Sequence, residues 1–238
     1  LALIHMMNRR NIRIKVMQVL YMVENQNQSS PGSLLQKEFD KTRNLFVFLV
    51  HLVHQVALYA EVEAGQRASK NLPNQADLSV NIKLAGNSIV WQTIESEKFK
   101  KALAVVNPAQ WVDEDIVKTL FRNLSDSATY KTYIEDQSRD KAKEKEILKY
   151  IFGTLILESD TILEYIDERF ANWEDEGDMM VGFMLDYLQK HRGCTGYGVE
   201  IDDANIQACV KRGVNVIQLN LDEGLTMFAD QSFDVVLQ

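Results

Sequence analysis

Cysteine is nearly missing from this 238-residue sequence: Cys194 and Cys209 are the two, both in its last fifth. Their spacing fits neither a zinc ligand set nor a CxxC redox pair, and two thiols build no disulfide framework. A reducing, cytoplasmic setting is expected. Positive charge is also in short supply. The formal net charge is -8, so nothing global draws the chain to nucleic acid or to an anionic membrane. Any affinity for RNA must come from a local patch. Long apolar runs are missing as well. The longest, Leu45 to Tyr59, is interrupted by His51, His54 and Gln55. It falls short of the ~20 residues a membrane span needs and reads as a buried core helix. Leu1 to His5 is too short for a signal peptide and has no basic flank before it. The sequence carries no internal repeat, no low-complexity segment and no Ser/His/Asp or Cys/His set.

What is present is ordinary for a globular protein: 46% apolar and 25% charged residues, in a length sufficient for one large domain or two small ones. Met6 or Met7 is the expected start. The closing run Asp234 to Gln238 has strand character with nothing after it, so truncation is expected.

Glycine divides the chain. Residues 1–185 hold only Gly32, Gly65, Gly86, Gly153, Gly177 and Gly182, whereas Gly193, Gly196, Gly198, Gly213 and Gly224 crowd the remainder. The first region has helical spacing: Ile12, Val16, Val19, Leu20 and Val23 share one face. The polar stretch Gln26 to Ser33 ends that helix, and Leu34 to Ser69 reads as one or two long helices. Asn71 to Ser88, with Pro73, reads as a loop. Helices are expected at Val90–Val106, Val112–Leu124, Ala128–Glu135, Ala142–Glu158 and Thr161–Phe170, with Asp126 and Asp160 as N-caps. After a helix at about Met179–His191 the pattern becomes strand, helix, strand. The strands are Gly196–Ile201, Val214–Leu219 and Phe233–Leu237, and Asp203–Arg212 is the helix. That order implies a parallel βαβ unit.

Four cations precede the first acid, Glu24, in Asn8-Arg9-Arg10-Asn11-Ile12-Arg13-Ile14-Lys15. Positive charge in a first helical turn opposes the helix dipole and costs a few tenths of a kcal/mol for each residue. Arginine forks match phosphate oxygens and stack on splayed bases. A solvated helix start, or arginines paired with acids elsewhere, accounts for the same residues. His51 and His54 have the i, i+3 spacing of two metal ligands, yet apolar surroundings favour core histidines. Glu174, Asp175, Glu176 and Asp178 lack calcium-loop spacing and read as a solvated acidic turn. Trp91, Trp111 and Trp173 read as core or staple residues.

The opening helix, Met7-Asn8-Arg9-Arg10 through Arg13 to Tyr21, resembles that of NusB transcription antitermination proteins in their extended form. The resemblance continues through Leu72-Pro73, Asp77-Leu78, Asn81, Asn87, Trp111, Asp115 to Lys118, Tyr130 to Tyr133 and Asn172 to Asp175. It implies a helical bundle in which Arg9, Arg10, Arg13 and Lys15 contact boxA-like RNA. The implied partners are ribosomal protein NusE and the transcription elongation complex. The family's C-terminal helical half has no counterpart here.

The tail is similar to a second family. Tyr187 to Lys190, Gly196 to Asn205, Cys209 to Gln218 and Ser232 to Val236 resemble MetW, a class I methyltransferase-type fold linked to methionine biosynthesis. An acid closing a strand of such a fold accepts hydrogen bonds from ribose hydroxyls, although an acid capping the next helix looks the same. The resemblance implies that Glu200 holds the ribose of S-adenosylmethionine, with Asp202 beside it and Asn220-Leu221 near the adenine edge. The family's first strand and GxGxG loop are absent. Asn172 to Asp178 stand in their place, so no methyl transfer is expected.

The sequence thus predicts a mainly α chain. A NusB-like helical region over residues 1–185 is followed by a truncated, Rossmann-like α/β fragment over 186–238. An RNA-binding antitermination factor, without cofactor or membrane association, is the first reading. A MetW-like module that binds S-adenosylmethionine is the alternative, as is a chimera without coherent activity.

Overall fold

The computed structural model describes residues 7, 9–26, 30–72, 74–78, 80–190, 197–200, 202, 206 and 215–218. The chain divides into two compact units, Leu1–Arg192 and Gly193–Gln238. The last helix of the first unit, Trp173–Lys190, runs straight through the 185/186 position.

The first unit is helical among its described residues. Helix α1 spans Arg9–Gln26 and α2 spans Pro31–Ala68. The short α3 (Gln75–Leu78) leads into α4 (Ser88–Glu95), α5 (Glu97–Val106) and a 3-10 turn at Pro108–Trp111. Then come α6 (Glu114–Asp126), α7 (Ala128–Glu135), α8 (Lys141–Tyr150), a wide π turn at Ile151–Ile156, α9 (Asp160–Asp167) and α10 (Trp173–Lys190).

Helix α2 is the hub. Pro31 sits in its first turn, where a missing N–H costs nothing, and 38 residues give it a length of about 57 Å. Its middle is apolar apart from His51, His54 and Gln55, and Leu45, Phe48, Leu49, Leu52, Val53 and Val56 are buried. Each such burial stabilises by about 1.5–3 kcal/mol. Helices α1, α6 and α10 and the 3-10 turn pack around it. Ring pairs Phe48–Phe170 and Tyr59–Phe121 lie 4.8 and 5.3 Å apart. By length and composition α2 could cross a membrane, at mean hydropathy 1.7, yet 67% of that window is buried inside the fold. It is the single core helix of the Leu34–Ser69 reading.

Three local expectations need correction. The helix read over Val90–Val106 is two helices: Ser96 is extended (ψ 124°) and joins them, its N–H bonded to the Thr93 carbonyl. The helix read over Ala142–Glu158 widens into the π turn. That turn's i, i+5 period lets Ile151, Phe152 and Ile156 all enter the core. The caps lie one residue away from Asp126 and Asp160. Ser127 accepts the Tyr130 N–H at the start of α7, and Ser159 precedes α9 without a side-chain bond.

In the second unit β1 (Tyr197–Glu200) pairs in parallel with β2 (Asn215–Gln218), Tyr197 opposite Asn215 and Glu200 opposite Gln218. Parallel neighbours need a crossover between them. Ile206 of that crossover is helical, and its N–H bonds the Asp202 carbonyl at 2.9 Å. The rest of the expected Asp203–Arg212 helix, and the expected Phe233–Leu237 strand, lie outside the described residues. The chain is therefore mainly α. One parallel pair does not establish a Rossmann-like sheet.

Candidate functional site

The apolar stripe of α1 decides which of its cations reach solvent. Val19 is buried and Ile12, Val16 and Val23 are partly so, on the side facing α2, whereas Leu20, expected in the same stripe, is exposed. Arg9, Arg10 and Arg13 fall outside that stripe and are exposed. The first turn of α1 holds no acid. Among the described residues none of the three arginines forms an ion pair.

Lys15 parts from them. It is 3% exposed, and its Nζ pairs with Glu176 Oε1 and reaches the Glu38 carbonyl at 3.4 Å. The other oxygen of Glu176 accepts from Asn172 Nδ2 at 3.0 Å. One ammonium thus ties α1 to both α2 and α10. A buried, hydrogen-bonded pair of this kind costs about 3–5 kcal/mol to break by removing one member. Of the four cations singled out in the sequence, three face outward and Lys15 faces inward. Its place three residues after Ile12 and four before Val19, within the apolar stripe, carried that signal.

In the tail, Glu200 closes β1 and Asp202 follows it, exposed. Asn220 lies outside the described residues. The acidic segment after Asn172 is helical from Trp173 onward, with Glu174, Asp175 and Glu176 in the first turn of α10. Acids there suit the helix dipole. The acidic turn read from sequence is exposed at Glu174 and Asp175 and buried at Glu176.

The two histidines of α2 separate. His51 lines a shallow hollow of about 250 Å³ with Tyr59, Val112, Glu114 and Val117, and burial lowers its pKa. His54 is buried beside Phe99, and its Nε2 lies 2.9 Å from the Tyr187 hydroxyl. That hydroxyl lies 2.7 Å from Thr93 Oγ1. Among the described residues no group of three potential metal ligands converges. Trp111 packs on Phe170 and Trp173 on the core, while Trp91 is 43% exposed and donates its indole N–H to the Ala85 carbonyl at 2.7 Å.

From residue 176 to the end the described chain runs helix, strand, parallel strand, the order of an α/β segment. Residues 176–238 match the family model described as methionine biosynthesis protein MetW. The match begins inside α10, so its first helix is also the last helix of the first unit. No curated protein matches the chain, and neither does any solved structure. These comparisons give the NusB resemblance no support.

Proposed function

We propose that residues 176–238 are a MetW-like segment that binds the nucleoside part of S-adenosylmethionine, in a cytoplasmic protein serving methionine metabolism. The family match carries this reading, and Glu200 at the end of β1 supplies the acid that ribose hydroxyls require. The bound group would supply an electrophilic methyl, but residues 172–178 form no glycine loop to hold its methionine end. The segment binds and does not transfer. Equilibrium dialysis of labelled S-adenosylmethionine and S-adenosylhomocysteine against the full chain tests this. Saturable binding of both is expected, weakened about tenfold in Glu200→Gln by loss of a charged hydrogen-bond acceptor. Absence of saturable binding to the unaltered chain overturns the reading.

A second reading rests on the outward arginines. Arg9, Arg10 and Arg13 stand exposed on one helix with no acid in its first turn, as a contact to boxA-like RNA in a NusE-containing elongation complex requires. Lys15 takes no part in it. Fluorescence anisotropy of boxA-like and scrambled RNA at two salt concentrations separates the cases. A boxA preference lost in the triple alanine variant and weakened by salt supports this reading, and equal or absent binding removes it.

A further inference from the structure

Opposite its buried stripe, α1 exposes Arg10, Arg13, Ile14, Met17, Leu20, Tyr21 and Glu24. Ile14 is 46%, Met17 67% and Leu20 50% exposed. A run of solvent-facing aliphatic side chains on one helix face marks an interaction surface. Arg10, Met17 and Glu24 recur at the seven-residue interval that keeps a seam straight along a helix pair.

The order of residues on this face names its occupant. Met17 is the midpoint. Arg10 and Glu24 lie seven residues to either side of it, Arg13 and Tyr21 four, and Ile14 and Leu20 three. Each pair is complementary: cation with anion, cation with aromatic ring, aliphatic with aliphatic. We propose that this face binds a second copy of the chain, α1 against α1, antiparallel about a two-fold axis at Met17.

In a two-fold contact residue i meets residue j of the partner while j meets the partner's i, so each complementary pair forms twice. Arg10 then meets the partner's Glu24, Ile14 meets the partner's Leu20, and Met17 packs on the partner's Met17. Arg13 reaches the face of the partner's Tyr21, where a guanidinium is attracted to the ring. A parallel pairing would set arginine against arginine. A purely anionic partner would be met by Glu24 at one end and would leave Ile14, Met17 and Leu20 in water. The contact between residues 10 and 24 is about 21 Å long, which places the dimer among small, reversible interfaces. This inference does not rest on either functional reading.

Sedimentation equilibrium of the full chain across the micromolar range tests it. A reversible monomer–dimer equilibrium is expected. Met17→Glu sets two like charges on the axis and should weaken association about tenfold or more. Arg10→Glu and Glu24→Arg should each weaken it, and the double variant should restore it. The altered positions are exposed, and far-UV circular dichroism checks that each variant keeps its helices. Restoration by charge exchange is a result that neither a folding defect nor an RNA site produces. A chain that stays monomeric throughout, a Met17→Glu variant that still dimerises, or a double variant no better than the single ones overturns the proposal. RNA binding by a chain that never self-associates would give the face to RNA instead.

Discussion

Tyr187 has one hydroxyl proton, and its neighbours dictate where it goes. Thr93 donates its own proton to the Ile89 carbonyl at 2.9 Å, so it can only accept from Tyr187. In that arrangement Tyr187 accepts from His54 Nε2, which suits the Nε2–H form of the ring. Tyr187→Phe removes the middle of this chain and leaves buried polar groups on both sides. A loss of about 1–3 kcal/mol is expected, read by urea unfolding. Tyr130 and Tyr133 make a second case. Burial pushes both phenols up to about 12. A folded-state value above the unfolded value of about 10 gives stability that is complete below that pH and is lost as pH rises further. In an ultraviolet titration these two are expected to ionise only as the chain unfolds in alkali. His54 was legible in the sequence as a core histidine because its surroundings are apolar. Its partner was not, since 133 residues separate it from Tyr187.

At the level of elements, the Lys15–Glu176 pair makes the strongest claim. Lys15→Met alone leaves Glu176 buried and charged, and a loss of about 3–5 kcal/mol is expected. Adding Glu176→Leu should recover most of it, as chemical denaturation of the single and double variants will show. The same double variant should leave any affinity for RNA unchanged, because Lys15 never faces outward. Most helices of the first unit were legible because their apolar residues recur at helical spacing. Their ends were not. Asp126 and Ser127 are both good caps, and only the three-dimensional path decides that Ser127 accepts the free N–H. The break at Ser96 and the π turn at Ile151 likewise leave no mark in the helical spacing. In the candidate site the basic run is plain in the sequence, whereas the inward turn of Lys15 is marked only by its place in the apolar stripe.

The whole molecule showed its two parts in the distribution of glycine, and the helical spacing ends where the strands begin. What the sequence did not reveal is how far the helical unit extends into the MetW-like stretch. Met180, Phe183, Met184 and Leu188 of α10 are all buried in the core, and Phe183 meets Phe46 edge to face at 5.9 Å. A chain ending at Arg192 is therefore expected to keep its far-UV circular dichroism and a cooperative thermal transition. One ending at Phe170 should lose both. Differential scanning calorimetry of the two shortened chains decides this. The start of the family match and the end of the helical unit thus lie at different residues. Anyone grafting another tail onto this body, or this tail onto another body, would have to cut after Lys190. A cut at residue 176, where the family match begins, would carry off one side of the host's interior.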